Sequence, residues 1–193
     1  ILVSKYDHCL DDLLYRKRKG EINMDVTAVV SNHQDLRTMV EREGIRFIHL
    51  PVTSETKSQQ EQRLLEIIAE THSELVVLAR YMQIIQPEFC QAYAGRMINI
   101  HHSFLPSFLG ATPYQKAIDR GVKLIVATFH YVTDRLYEGP IITYDVIRVS
   151  HRHSKDDLVR LGKDVEKSVL ARALRNHLED RVLVHGNKTV VFD

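Results

Sequence analysis

The sequence predicts one α/β domain over residues 1–193: a Rossmann-like, mostly parallel sheet with helices on both faces and a late antiparallel excursion. Strand-like and helix-like segments alternate from residue 1 to residue 120. Residues 75–79 form a continuous apolar run, which is typical of a parallel strand buried on both faces. Two longer β-type segments then flank a short polar turn, as in a hairpin.

The first half of the chain pairs each apolar β-type run with a helical segment. A strand over residues 1–4 precedes a helix that Asp7 is expected to cap, and this helix carries Leu10, Leu13 and Leu14 and ends near Gly20. Further strands are predicted over residues 26–31, 45–50, 75–79 and 97–100, and further helices over 34–42, 57–72 and 113–120, with a short one beginning at Pro87. Strands joined by helical crossovers pair in parallel.

The second half carries the antiparallel excursion. Strands are predicted over residues 123–132 and 141–149, around a turn at residues 134–139. Ser154 and Asp157 predict a capping box at the start of a long helix. The strands of a closing hairpin are expected over residues 182–184 and 189–192, with Gly186 and Asn187 at its turn.

Composition excludes several functional classes. The chain has 193 residues, 44% hydrophobic content and a formal net charge of +1, so we expect no nucleic-acid partner. No apolar run approaches the roughly 20 residues that span a bilayer, and no signal-peptide pattern appears among the first residues, so we expect no membrane partner. Cys9 and Cys90 have no CxxC spacing, which favours a reducing, cytoplasmic location. No Cys or carboxylate cluster accompanies His151 and His153, so we expect no metal.

The segment from Met97 to Pro106 carries the most informative chemistry. The period of two in a strand puts Asn99 and His101 on one face, at the end where open α/β sheets bind ligands. An amide N–H can stabilise a developing oxyanion, and an imidazole can transfer a proton. The pair therefore predicts attack on a carbonyl carbon.

Four segments that follow strand ends are expected to converge at that edge: residues 4–8, 80–85, 101–112 and 134–139. Residues 80–85 have the composition of a slot for a flat ring, in which Met and Ile side chains sandwich the ring and main-chain groups meet its edges. Core packing explains the same Met and Ile equally well. His130 is expected either to position the 134–139 turn or to make a hydrogen bond in the core.

Three stretches together resemble the folate-dependent formyltransferase family, and within it the 10-formyltetrahydrofolate deformylases. They are NIHHSFLPSF at residues 99–108, VVLARYMQII at 76–85, and HYVT at 130–133 followed by EGPII at 138–142. The resemblance covers essentially the entire chain. It implies the formyltransferase fold and hydrolysis of 10-formyltetrahydrofolate to formate and tetrahydrofolate, with the folate as substrate and no cofactor. The deformylases of this family normally also have an N-terminal regulatory ACT-type domain, which we expect to be absent here, and we expect a homo-oligomer.

The resemblance assigns catalytic roles with one departure. Asn99 and His101 match the first two members of an Asn–His–Asp set, but Tyr137 stands where the family has the acid. A tyrosine with an ordinary pKa near 10 is not anionic at neutral pH. Asp134 and Glu138, on the same loop, are the candidate substitute acids, with Asp134 the one included in the catalytic set. The residues expected to bind substrate are Arg80, Tyr81, Met82, Gln83, His102, Ser103, Gly110, His130, Thr133 and Glu138.

Three alternatives remain. A glycinamide ribonucleotide formyltransferase must hold a substrate phosphate, for which its family uses a glycine-rich first loop, whereas residues 4–8 here are bulky and lack glycine. That difference favours water as the formyl acceptor. A catalytically impaired folate-binding paralogue is the second alternative, because of Tyr137. An unrelated α/β binding domain is the third, and the multi-segment resemblance argues against it.

Overall fold

The computed structural model describes residues 1–105, 113–135 and 138–192. Its main sheet has seven strands in the order β3-β2-β1-β4-β5-β6-β7, and a separate hairpin pairs β8 with β9. The elements in chain order are β1 (Leu2–Val3), α1 (His8–Arg18), β2 (Val29–Ser31), α2 (Arg37–Arg42), β3 (Phe47–His49), α3 (Lys57–Glu70), β4 (Val76–Leu78), α4 (Pro87–Ala92), β5 (Met97–Leu105), α5 (Pro113–Asp119), β6 (Leu124–Tyr131), β7 (Ile141–Arg148), α6 (Lys155–Leu178), β8 (Val182–His185) and β9 (Lys188–Val191).

Strand direction changes twice across the main sheet, on either side of β6. β3, β2, β1, β4 and β5 run parallel, while β6 is antiparallel to β5 and β7 is antiparallel to β6. The predicted fold class and its late antiparallel excursion are confirmed. β5 therefore has one parallel and one antiparallel neighbour, and this junction positions the candidate site.

Helices cover both faces of the sheet. The cluster on one face includes Leu64 of α3 and Phe89 of α4, and Met97 of β5 belongs to it. The cluster on the other face includes Leu10 of α1 and Val169 of α6, together with further residues of β5, namely Ile98, Ile100 and Phe104. Because successive strand side chains alternate, odd-numbered residues of β5 face the α3–α4 side and even-numbered residues face α6.

Two local predictions are wrong. β5 continues to Leu105 instead of ending at Ile100, because β6 pairs with it from Ile98 to Leu105. His101 and His102 are therefore strand residues and not the start of a loop. Asp7 does not cap α1: its backbone is helical (φ −94°, ψ −31°) and its side chain accepts no capping hydrogen bond, whereas a capping residue needs an extended backbone.

The predictions for the C-terminal region are confirmed. Ser154 accepts a hydrogen bond from the Asp157 N–H, and the Asp157 side chain accepts one from the Ser154 N–H, which completes the capping box of α6. β8 and β9 form the expected antiparallel hairpin. Within the described part of the chain, none of the helices combines the length and apolar character needed to cross a bilayer.

Candidate active site

Asn99 and His101 lie in β5 where its parallel neighbour ends. Asn99 pairs with Leu78, the last residue of β4, and on its other side with His130 of β6. His101 pairs with Thr128 of β6, beyond the end of β4. Both side chains are half-buried and occupy the face of β5 opposite α6. The amide and the imidazole thus share one face at the carboxyl edge of the parallel part of the sheet.

The loops that follow β1, β2 and β4 are joined by hydrogen bonds. The Ser4 hydroxyl donates to Asn32 Oδ1 (2.7 Å) and accepts from the Met82 N–H (3.0 Å). Arg80, which begins the turn after β4, has a left-handed backbone (φ +63°). Its guanidinium lies 4.9 Å from the centre of the Tyr6 ring. Residues 4–8 and 80–83 therefore meet at the same edge, as expected from strand order.

Residues 80–85, the proposed slot for a flat ring, include both buried and exposed side chains. The Tyr81 ring is buried in the α3–α4 core, and its hydroxyl accepts a hydrogen bond from Gln60 Nε2 (2.7 Å). Met82 and Ile84 are 55% and 66% exposed, and Gln83 is half-buried. Met82 and Ile84 are the apolar side chains of this turn that a ligand ring could contact, whereas Tyr81 supports the turn from below.

His130 is buried, and its hydrogen bond fixes its tautomer. Its Nδ1 lies 2.9 Å from the carbonyl oxygen of Tyr131, so Nδ1 carries the proton and donates. Nε2 then presents a lone pair, and it has no hydrogen-bond partner among the described residues. Burial lowers the pKa of His130, more than the bond to the Tyr131 carbonyl raises it, which favours the neutral ring.

The His101 imidazole is also held neutral. Burial lowers its pKa to about 4, and the nearby charges of His130 and Arg80 act in the same direction, while Glu166 opposes them. An imidazole with that pKa is uncharged at neutral pH. It can therefore accept a proton from a water molecule.

Behind β5, His102 contacts a buried charged network that the sequence analysis did not identify. Its centre is Glu166 of α6, only 1% exposed, which accepts a hydrogen bond from His8 Nε2 (2.6 Å). Glu166 also lies 3.5 Å from Arg80 Nε and 3.3 Å from His102 Nδ1. The available signal was a glutamate beside Val165 on the apolar face of a helix.

Glu166 is ionised despite its burial. Desolvation raises its pKa, but the His8 hydrogen bond and the charge of Arg80 outweigh that effect, and the net pKa lies below the ordinary value. His8, Cys9 and Glu166 place three potential metal-ligand atoms within 4.8 Å of one another. Burial raises the pKa of the Cys9 thiol, so it stays protonated, and Arg80 already supplies the cation. The arrangement suits an ion-pair network better than a metal ion.

The turn after β6 begins at the opposite end of the sheet from the turns that follow the parallel strands. Because β6 is antiparallel to β5, its carboxyl end lies next to Met97, whose carbonyl accepts from the Val132 N–H (2.8 Å). Residues 134–139 were expected to follow a strand that ends at the carboxyl edge of the parallel sheet. β6 runs in the other direction, so this expectation is wrong for β6. Asp134 is exposed, and after burial and the charge of Glu61 its charge also contributes to the raised pKa of Cys90 in α4.

The other residues predicted for the site have few contacts among the described residues or lie outside them. Glu138 is exposed and pairs with Arg135 (3.7 Å), and the Thr133 hydroxyl donates to the Arg135 carbonyl (3.1 Å). Ser103 is half-buried on the face of β5 that carries His101. Tyr137 and Gly110 lie outside the described residues.

Comparison with known proteins identifies the family of the chain. The formyl transferase family profile matches residues 1–174. The chain is 56% identical, over 192 residues, to the formyltetrahydrofolate deformylase of Mycobacterium tuberculosis, and the match covers the whole chain and 62% of that relative. The chain thus spans slightly less than two thirds of this relative's length.

Among solved structures, a formyltetrahydrofolate deformylase is more similar to this chain than a glycinamide ribonucleotide transformylase is. The formyltetrahydrofolate deformylase of Burkholderia mallei superposes with a TM-score of 0.96 at 50% identity, covering 100% of this chain and 68% of that one. The glycinamide ribonucleotide transformylase 1 of Symbiobacterium toebii gives 0.90 at 28% identity, covering 100% and 92%. The shared fold, the residues matched and the level of identity establish that this chain belongs to the formyl transferase family.

Proposed function

We propose that this chain is the catalytic domain of an enzyme that hydrolyses 10-formyltetrahydrofolate to formate and tetrahydrofolate. One observation carries the proposal: Asn99 and a neutral His101 share a face of β5 where β4 ends. The proposal is supported by 56% identity to a relative named formyltetrahydrofolate deformylase. Hydrolysis of a formamide needs an oxyanion donor and a proton carrier, and these two side chains supply both.

The reaction follows from the protonation state of His101. The neutral imidazole accepts a proton from water as the water oxygen bonds to the formyl carbon, and the carbonyl oxygen becomes an oxyanion. The Asn99 side-chain N–H donates to that oxygen. The imidazolium then returns its proton to N10 as the C–N10 bond breaks. The products are tetrahydrofolate and formic acid, which ionises to formate.

The turn after β4 is proposed to hold the folate head. Met82 and Ile84 offer exposed apolar side chains to a flat ring, and the main chain of residues 80–83 offers polar groups to its edges. The folate is proposed as substrate, with no separate cofactor. A homo-oligomeric state and a cytoplasmic location stay predictions.

Water is the proposed acceptor in preference to a phosphate-bearing amine. Residues 4–8 carry no glycine, and the Tyr6 ring packs on Arg80 (4.9 Å). Main-chain N–H groups can surround a phosphate only where side chains leave room. The first loop therefore lacks the open backbone that such an acceptor requires.

A second candidate, a folate-binding protein with little activity, is favoured by one observation, the tyrosine at position 137. The family's acid would stabilise the imidazolium or orient water, and a neutral phenol does neither well. We therefore propose slow hydrolysis compared with a deformylase that carries Asp at that position.

The test is an assay of the purified full-length protein with 10-formyltetrahydrofolate, following formate release. A parallel reaction contains glycinamide ribonucleotide as an alternative acceptor. We expect formate in both reactions and no formylated ribonucleotide. Formylation of the ribonucleotide without formate would refute hydrolysis, and tetrahydrofolate binding with no turnover would favour the second candidate.

A further inference from the structure

Glu166 is the centre of a polar network that the proposed mechanism does not use. Its carboxylate is contacted from three other elements: His8 in α1, Arg80 in the turn after β4, and His102 in β5. The side chains of His8, Arg80 and His102 are only 8%, 10% and 12% exposed. A carboxylate this deeply buried requires compensation by its neighbours.

The protonation states inside the network are restricted by geometry. Arg80 Nη1 lies 2.5 Å from His102 Nδ1, and because a guanidinium can only donate, His102 Nδ1 accepts. His102 is therefore neutral, and Arg80 places a permanent positive charge beside Glu166. His8 adds a hydrogen bond through Nε2.

Two of the three partners of Glu166, Arg80 and His102, belong to segments that form the proposed site. Arg80 adopts a left-handed backbone and begins the turn that carries Met82 and Ile84. His102 is the neighbour of His101 in β5, and its ring stacks on Tyr114 of α5 (centroids 5.8 Å apart, planes at 11°). The carboxylate thus connects the proposed folate slot to the strand segment that carries the proposed proton carrier.

We infer that Glu166 is a positioning residue for hydrolysis, which acts from behind β5 by holding Arg80 and His102 in one fixed arrangement. The inference rests on the proposed function. A side chain without contact to substrate can still set the rate, because misplacing reacting groups by about 1 Å costs on the order of 100-fold.

Several groups face Glu166 besides His8, Arg80 and His102. The Cys9 thiol of α1 lies 4.0 Å away, and burial keeps it protonated. Burial raises the pKa of Tyr114 in α5, and the charge of Glu166 raises it further. The Glu166 charge also raises the pKa of His101, against the larger effects of burial, His130 and Arg80. Removal of the carboxylate charge should therefore lower the His101 pKa further.

The main test compares Glu166→Gln with wild type in the full-length protein. We expect kcat/KM for formate release to fall on the order of 100-fold. We also expect the acid limb of the kcat/KM profile to move to lower pH, because the charge that raises the His101 pKa is gone. Ser154→Ala is the matched control: it weakens the cap of the same helix without touching the network, so kcat/KM and the acid limb should stay at wild-type values.

Glu166→Asp keeps the charge and shortens the side chain by one carbon. We expect it to retain the wild-type acid limb and to lose about 10-fold less activity than Glu166→Gln. This variant also provides the test if Glu166→Gln does not fold: its kcat/KM should then fall below that of Ser154→Ala. A kcat/KM equal to that of the control in every folded Glu166 variant would overturn the inference.

Measurement of tetrahydrofolate binding distinguishes failure of the proposed function from failure of the role inferred for Glu166. If the wild type releases no formate, hydrolysis is refuted, and tetrahydrofolate binding measured by calorimetry becomes the readout. Glu166→Gln should then weaken tetrahydrofolate binding at least about 10-fold relative to Ser154→Ala, because Arg80 no longer holds the turn. Equal affinities for the two variants would overturn the role of Glu166 independently of any chemistry.

Discussion

Asn99 of β5 and His130 of β6 lie directly opposite each other in an antiparallel pair. The same Asn99 pairs on its other side with Leu78, the last residue of β4. Directly opposed residues on one face of a sheet have Cβ atoms about 5 Å apart. The backbone of Asn99 is therefore fixed by strands on both sides, which limits where its side-chain amide can lie, and an oxyanion donor requires such preorganisation.

The first prediction follows from that placement. Asn99→Ala should lower kcat about 100- to 1000-fold, the usual effect of removing an oxyanion donor, and leave tetrahydrofolate affinity within a few-fold. Asn99→Asp is the shape-matched control, since a carboxylate has nearly the same size and cannot donate when ionised. It should lose as much activity as Asn99→Ala. Wild-type turnover in Asn99→Asp would show that donation from this side chain is not needed.

His101→Ala should lower kcat about 100-fold or more, because the proton carrier is lost. His101→Gln keeps a polar side chain of similar size but cannot carry a proton, so it should be equally impaired. Formate release under saturating substrate measures both. Retention of the wild-type rate by either variant would place the proton transfer elsewhere.

The third prediction concerns pH. His101 must be neutral to accept a proton, and its pKa is lowered to about 4 from an ordinary 6.5. The kcat/KM for hydrolysis should therefore stay level as pH falls through 6.5 and should decline only as pH approaches 4. The measurement is the initial rate at low substrate across that range, with folding checked by circular dichroism at each pH. An acid limb centred near 6.5 would contradict a desolvated His101.

Stability should also depend on pH in this range. Burial lowers the pKa of His102 to about 4, whereas the unfolded chain has the ordinary 6.5, so the unfolded state binds more protons between these values. The contribution of His102 to stability is complete above pH 6.5 and is lost as pH falls towards 4. Urea midpoints should be lower at pH 5 than at pH 7. His102→Gln should reduce that difference, and an unchanged difference would count against a buried neutral His102.

Tyr137→Asp tests the missing acid. It should raise kcat and leave folate affinity within a few-fold, because a carboxylate acts mainly on the transition state. If Asp134 serves as the acid, the wild type is already fast, and Asp134→Asn abolishes the activity that Tyr137→Asp fails to improve. A slow wild type with no gain in Tyr137→Asp would defeat the proposal.

Gly162→Ala should destabilise the protein, although alanine in a helix interior usually stabilises by about 1 kcal/mol. A Cβ at this position of α6 would lie 2.3 Å from the Tyr114 hydroxyl, and the Tyr114 ring is stacked on His102. Overpacking of this kind costs about 1–3 kcal/mol. Thermal unfolding measures the result. Gly162→Ala combined with Tyr114→Phe, which removes the clashing oxygen, should recover most of the loss.

The sequence predicted most helices, strands and turns, because each of these is specified by residues that are neighbours in the chain. The apolar run before Arg80, the capping box at Ser154 and the turn at Gly186 each depend on neighbouring residues. The pairing of Asn99 with His101 on one face followed from strand periodicity alone.

The sequence could not predict what depends on distant contacts. The extension of β5 to Leu105 requires the antiparallel pairing with β6, which no local pattern specifies. The level at which the 134–139 turn leaves the sheet depends on the direction of β6. The Glu166 network joins residues as far apart as His8 and Glu166, separated by 158 positions.

That separation has a consequence for biosynthesis. A ribosome releases the chain from the N-terminus at roughly 5–20 residues per second, and β1 to β5 emerge before α6 exists. Until α6 docks, Arg80 and His102 lack the Glu166 carboxylate, and Ile98, Ile100 and Phe104 of β5 lack the part of their core cluster that α6 supplies. Folding of the N-terminal strands therefore cannot complete the Glu166 network ahead of time. Nascent chains stalled before residue 155 should lack this network and any activity that depends on it.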